Sequence, residues 1–379
     1  MDQASDPVGF HRLSRGKTVT SSKVRLDAEN LSVVYTPGVG EVSLAIARNP
    51  DEVRELTGKQ NTVAIVTDGS AVLGLGDIGP YAALPVMEGK AAIFSEFAGL
   101  SAVPICLATQ DSDEIVATVR NIAPGFGGIN LEDISAPRCF DIERRLTAEL
   151  DIPVFHDDQH GTAIVVLAGL LNALKVTGKG TDVRIAISGA GAAGLAIAQL
   201  LAARGFDNFR IANSKGVLSL ESADANDHQR EVLALSTATG SWGTGGMMLE
   251  GADVLIGVSR AGLFSADDVR RMNEAPIIFA LANPVPEIMP DEAHAGGAAV
   301  VATGRSDFPN QINNALVFPG LFRGLLDHAV AEVTVAVKLA VADTLASLIE
   351  HPTADEIVPS IFDERVVPAI ARAVGESRA

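Results

Sequence analysis

From residue 62 onward the chain alternates short apolar runs with longer stretches of helical period. TVAIV (62–66), VPICL (103–107), GINL (128–131) and IPVF (152–155) have strand length and polar boundaries, and DEIVATVRNI (113–122) follows the second with helical spacing. Strands alternating with helices predict a parallel sheet with right-handed crossovers. Three of the runs lead into acids: Asp68 after the first, Glu132 and Asp133 after the third, Asp157 and Asp158 after the fourth. Open parallel sheets bind ligands beyond the carboxyl ends of their strands, so these acids gather on one rim if the strands share a sheet.

GTAIVVLAGLLNALKV (161–176) reads as a long apolar helix connecting to a second unit. There the runs FRIA (209–212), DVLIGV (253–258), IIFAL (277–281) and AVVA (299–302) repeat the alternation. The polar stretch between 219 and 251 contains SWGTGG and reads as a helix plus a mobile loop, and 330–349 reads as a helix folding back across both units. The first thirty residues are polar and weakly periodic, a surface arm or short helices. The fold class is therefore α/β. Residues 1–160 form an N-terminal α/β domain, and 161–379 a Rossmann-type doubly wound parallel-sheet domain with C-terminal helices.

The pattern GxGxxG occurs twice. In RIAISGAGAAGLAIAQLL a strand runs into Gly189, Ala190, Gly191, Ala192, Ala193 and Gly194, and twelve residues of good helix former follow without proline. A pyrophosphate binds at such a helix N-terminus, so this copy is the dinucleotide site. In the other copy, Gly74, Gly76 and Gly79, the following segment is interrupted by Pro80 and Pro85, and Asp77 would face phosphate. A tight turn against the cleft fits that copy better. At the next strand tip stand Asn213, Ser214 and Lys215. No acid there repels a 2′-phosphate, so NADP is favoured slightly over NAD.

Composition narrows the classes. With 29 Lys+Arg against 47 Asp+Glu the net charge is -18, which disfavours nucleic acid or an anionic membrane as partner. Cys106 and Cys139 are too few for a disulfide scaffold and read as core thiols. MDQASDPVGFHRLS lacks an apolar signal core, and the reading is cytoplasmic. The acids at two strand ends supply oxygen-only donors, which suit Mg²⁺ or Mn²⁺, although acids after strands also serve as helix caps. His156 and His160 are four apart, but a strand precedes them and Asp157 replaces the Glu of HExxH, so zinc hydrolysis is disfavoured.

SVVYTPGVGE (32–41), VTDGSAVLGLGDIG (66–79), PVMEGKA (85–91), FGGINLEDI (126–134), PVFHDDQHGTA (153–163), ALANPVPEIMP (280–290) and GRSDFPNQINNALVFPG (304–320) resemble the malic enzymes, specifically their small bacterial and archaeal branch. The matches run in order from about residue 10 to 370. The resemblance implies oxidative decarboxylation of malate to pyruvate and CO₂ with reduction of NAD(P)⁺, through oxaloacetate and enolpyruvate. It implies Lys90 as general base, Tyr35 as general acid and Asp157 as the carboxylate against the lysine. Glu132, Asp133 and Asp158 match the family's divalent-metal ligands, and Asn283, Asn313 and Asn314 match positions that hold substrate or nicotinamide. A homodimer is implied as well.

The chemistry agrees: a metal at the C2 oxygen polarises the ketone and stabilises the enolate, and a nearby cation lowers the pKa of a lysine base. Ser70 and Ala71 stand where the large eukaryotic branch has a substrate-gripping arginine. The second carboxylate of malate then falls to Ser70, an amide, backbone donors or a cation from elsewhere. An amino-acid dehydrogenase, a malolactic enzyme that retains its cofactor, and a non-catalytic dinucleotide sensor are the competing readings.

Overall fold

The computed structural model describes residues 6–377 apart from 15, 20, 73, 224 and 239–244, so the loop expected around SWGTGG lies largely outside the described residues. An N-terminal arm carries the short helices α1 (Pro7–Ser14), α2 (Leu31–Val34), α3 (Val39–Arg48) and α4 (Val53–Leu56). None of the four buries a residue within the chain.

Strands β1 (Thr62–Thr67), β2 (Ser101–Cys106), β3 (Gly128–Leu131) and β4 (Val154–His156) form one parallel sheet in the order β2-β1-β3-β4. The three acid-terminated strands are thus neighbours. Helices α5 (Gly79–Ala98), α6 (Ser112–Ile122) and α7 (Arg138–Glu149) make the crossovers. Helix α5 corrects the sequence reading, because it runs through Pro80 and Pro85. Pro80 sits in the first turn, where its N–H is not needed, and Pro85 removes the partner of the Tyr81 carbonyl. Tyr81 is 91% exposed, so water can replace that donor.

Helix α8 (Asp157–Thr177) starts four residues earlier than its apolar pattern suggests, at Asp157 itself. It is buried on nearly every side, as an all-round apolar helix must be. It is long and apolar enough to cross a membrane, yet it is the core helix between the two sheets, packed on α9 (Ala192–Ala203) and on one helix of the C-terminal tail. Buried Asn172 on α8 donates to the Ala346 and Ile357 carbonyls at 2.9 Å each, tying it to the chain's end.

The second sheet has β5 (Ile185–Ser188), β6 (Phe209–Asn213), β7 (Gly216–Val217), β8 (Val254–Gly257), β9 (Ile277–Ala280) and β10 (Val300–Thr303) in the order β10-β9-β8-β5-β6-β7. All pairs are parallel except β6–β7. The order reverses between β5 and β8, which places the topological switch point at the glycine loop after β5. Helices α10 (Asp227–Leu233), α11 (Ala266–Val269), α12 (Pro290–Ala295), α13 (Phe318–Asp327), α14 (Val335–Ser347) and α15 (Val366–Glu376) complete the chain. Of the tail, α14 lies on α8, whereas α13 reaches the first sheet's helix: Phe318 and Phe322 pack on Phe94 with ring centroids 4.7 and 5.4 Å apart.

Candidate active site

Lys90 sits on the inner face of α5 beside buried Met87, Ala91 and Phe94, and is itself only 7% exposed. Its Nζ lies 2.8 Å from Glu132 Oε1, bonds the Asp157 carboxylate, and stands 4.2 Å over the Phe318 ring. Burial alone would lower its pKa, but Asp157, then Glu132 and Asp158, outweigh burial and raise it. The sequence reading expected a lowered value beside a cation. With acids alone around it, the amine is held as ammonium.

Glu132 and Asp133 follow β3, and Asp158 lies in the first turn of α8. One carboxylate oxygen from each lies within 4.8 Å of the other two. Asp133 has φ 54°, a left-handed conformation that a side chain rarely adopts, and its N–H donates to Asp158 Oδ2 at 2.8 Å. Burial, opposed by Lys90, raises the Glu132 pKa well above the usual carboxylate range, and the neighbouring acids push it further. Three acids this close, two of them nearly inaccessible, fit a divalent cation with oxygen donors. Gly161 makes room for the arrangement, since a Cβ there would meet Asp157 Oδ1 at 1.8 Å.

Lys90, Glu132, Asp133 and Asp158 line a cleft of about 840 Å³ that Asn283, Asn313 and Asn314 also line. The Asn313 side-chain oxygen Oδ1 already accepts the Ala315 N–H at 2.8 Å. A second cavity, of about 630 Å³, opens at the end of β5 and is lined by Gly189, Ala190, Gly191, Asn213, Ser214 and Lys215, with Arg260 across from them. No Asp or Glu is among its described lining residues. Gly189 has φ 126°, and a Cβ on Gly194 would lie 1.8 Å from the Gly189 carbonyl, so both glycines are needed for the turn. A Cβ on Gly191 meets nothing within 4 Å, so this glycine faces open space in the cavity. Gly191 and Ser259 line both spaces, and Ala192 and Ala193 line the cleft, so the cavity and the cleft adjoin.

Two expected residues are not brought to the cleft. The Ser70 hydroxyl donates to Asp68 Oδ1 at 2.6 Å and accepts from the Ser135 N–H (2.9 Å) and Arg138 Nη2 (3.0 Å), so it serves the β1 tip rather than a ligand. Tyr35, at the C-terminal end of α2, is 67% exposed and does not line the cleft of its own chain. The other copy of the glycine pattern forms a turn closed by the Val72 N–H on the Gly76 carbonyl, and a Cβ on Gly74 would meet the Asn283 carbonyl at 1.8 Å. Gly74 lines the cleft wall, and Gly79 opens α5.

Three positioning groups escaped the sequence reading. Glu143 on α7 accepts the His156 N–H (2.8 Å), Gln159 Nε2 (3.1 Å) and His160 Nε2 (2.9 Å), fixing the start of α8. Arg138 joins Asp68, Ser70 and Ser135. Glu287 accepts the N–H groups of Ser259 (2.7 Å) and Ala282 (3.0 Å) at the cleft's far edge. Their partners are set by long-range packing, and no local spacing announces them.

A dinucleotide cradle opening into a cleft that carries clustered carboxylates and a buried lysine defines an NAD(P)-dependent oxidoreductase. Known proteins narrow this further. Residues 14–113 and 108–147 match the malic enzyme N-terminal domain, and 159–378 the malic enzyme NAD-binding domain. The chain is 52% identical to the NAD-dependent malic enzyme of Geobacillus stearothermophilus, over 96% of this chain and 76% of that one. It is 49% identical to the bifunctional malic/malolactic enzyme of Bacillus subtilis, over 100% and 93%. The crystal structure of the Thermotoga maritima NAD-dependent malic enzyme superposes with a TM-score of 0.94 at 45% identity, covering 98% of this chain and 99% of that one. The chain belongs to the malic enzyme family, whose reaction is the oxidative decarboxylation of malate.

Proposed function

We propose that this chain oxidises malate to pyruvate and carbon dioxide with Lys90 as general base, and that Glu132, Asp133 and Asp158 hold Mg²⁺ or Mn²⁺. The observation that carries the reading is the sharing of one cleft by Lys90, the three carboxylates and the end of the glycine loop. The division of labour follows the two sheets: residues 1–160 serve substrate and metal, and 161–379 the dinucleotide.

Glu132, Asp133 and Asp158 would hold the divalent ion, which when bound would supply positive charge to the substrate and offset the acids that hold Lys90 protonated. NAD(P)⁺ is the hydride acceptor. Lys90 takes the hydroxyl proton, and Asp157 keeps its amine against the cleft wall. Asn283, Asn313 and Asn314 offer amides to substrate or nicotinamide from the same cleft. Loss of carbon dioxide leaves an electron pair on C3, which needs a proton from a weak acid, and Tyr35 is our candidate.

Tyr35 reaches a cleft only across an interface. It lies in an exposed apolar stretch with Leu31, Val33, Val34, Val39 and Leu44. A homodimer that covers this stretch and delivers one protomer's Tyr35 to its partner's cleft satisfies both the exposed surface and the missing acid. At the other cavity, Asn213, Lys215 and Arg260 without a carboxylate favour NADP, with NAD also accepted. We place the enzyme in the cytoplasm, acting on a small acid and on neither nucleic acid nor membrane.

Initial rates with malate and Mn²⁺, using NAD and NADP in turn, test this directly, with pyruvate, lactate and carbon dioxide quantified together. The expected result is one pyruvate per reduced cofactor, a rate abolished by EDTA and restored by Mn²⁺. Indifference to EDTA would point to a metal-free dehydrogenase, and lactate without net reduced cofactor to a malolactic enzyme.

A further inference from the structure

Malate carries two carboxylates, and a divalent ion can neutralise only the one chelated with the C2 hydroxyl. The cleft is acidic, so the other carboxylate needs a cation of its own. Among the described residues lining the cleft, Lys90 and Lys17 carry the permanent positive charges. Lys90 is bound to Asp157 and Glu132. Lys17 is not so taken.

Lys17 comes from the N-terminal arm, after α1. Its Nζ donates to the Pro85 carbonyl of α5 at 2.7 Å, which leaves two of the three ammonium protons for another acceptor. It is half-buried against the helix that carries Lys90. The position a Cβ on Gly89 would occupy lies 3.5 Å from this Nζ, so the ammonium rests in contact range of the residue preceding Lys90. The nearest acid acting on it is Glu88, on the same helix. A second donor group comes from the same arm. His11 lines the cleft, its Nδ1 meets the Pro7 carbonyl at 2.6 Å, and its buried Nε2 has no partner among the described residues. An arm with no apolar core of its own thus lays a cation and an unpartnered imidazole nitrogen along a cleft otherwise dominated by acids.

We propose that Lys17 is the residue that holds the carboxylate of malate left unneutralised by the metal, and so sets the preference for a dicarboxylic over a monocarboxylic 2-hydroxy acid. The inference rests on the malate reading above. It assigns the role that Ser70, with its hydroxyl occupied, does not fill. A contact to the carboxylate that departs as carbon dioxide is a ground-state contact, so its loss raises KM while kcat is largely kept.

The test compares wild-type enzyme with Lys17→Met and Lys17→Arg, with Mn²⁺ and NADP saturating. Malate is the substrate and lactate, which lacks the second carboxylate, is a competitive inhibitor. Lys17→Met should raise KM for malate by roughly one to two orders of magnitude, the worth of a charge-assisted hydrogen bond, with kcat within about threefold of wild type. The inhibition constant of lactate should stay within about twofold, and Lys17→Arg should recover most of the malate affinity. An unchanged KM for malate in Lys17→Met, an equal loss of lactate affinity, or an arginine variant as weak as the methionine variant would overturn the assignment. Failure of the wild-type enzyme to oxidise malate at all would instead overturn the function, and the role of Lys17 with it.

Discussion

The Asp158 carboxylate accepts the Asp133 backbone N–H at 2.8 Å, joining the end of β3 to the first turn of α8 across 25 residues of sequence. That bond holds Asp133 in its left-handed conformation, so Asp158 serves the local backbone as well as any ion. Asp158→Asn separates the two roles, because the amide oxygen still accepts the N–H while the charge is gone. We expect a melting temperature within a few degrees of wild type and an Mn²⁺ dissociation constant raised at least about tenfold, read by the electron paramagnetic resonance of free Mn²⁺. An unchanged Mn²⁺ titration would remove Asp158 from the ligand set.

The placement of Tyr35 leads to a mixing experiment. Tyr35→Phe and Lys90→Ala enzymes should each be nearly inactive. If acid and base come from different protomers, unfolding and refolding an equal mixture should restore about one quarter of wild-type activity, because half the dimers are mixed and each has one intact site. Recovery of no activity would assign both groups to one protomer or exclude Tyr35.

Glu143 contributes a pH dependence of known sign. Burial would raise its pKa, but His160, His156 and Lys338 outweigh burial and hold it at about 2, against an ordinary value of 4.5. Lys338 donates to His160 Nδ1 at 3.0 Å, so His160 Nε2 bears the proton that Glu143 accepts. The depressed pKa means that the stabilisation is fully present above about pH 4.5 and disappears as the pH falls toward 2, with an upper bound on the order of 3 kcal/mol. Glu143→Gln should therefore be less stable than wild type at pH 7, and urea midpoints should converge as the pH falls from about 4.5 toward 2. A gap that stays constant over that window would mean the charge of Glu143 is not what stabilises the turn.

Much of the architecture was legible because apolar periodicity reports burial directly. GINL matches β3 to the residue, and the acid-terminated strands β1, β3 and β4 adjoin in the sheet, although Asp68 pairs with Arg138 rather than joining the carboxylate cluster. Boundaries failed where polar residues enter an element for a tertiary reason. Asp157 and Asp158 read as acids at the end of a strand, with the helix beginning at 161, but they occupy the first turn of α8, where the helix dipole favours acids and Glu143 clamps the backbone. Pro85 read as a break, yet the α5 helix tolerates it on an exposed face. Lys17 could not be found from sequence at all: it lies in a polar arm, and only the fold lays that arm on α5.

The account stands on Lys90 acting on substrate beside a metal held by its neighbours. Lys90→Ala leaves Asp157 and Glu132 buried without their counter-charge, so some loss of stability accompanies the change, and folding is checked by NADP and Mn²⁺ binding. The most direct measurement is malate turnover by this variant under saturating NADP and Mn²⁺. We expect a fall of about 10²- to 10⁴-fold with NADP affinity intact; turnover within a few-fold of wild type would contradict the mechanism.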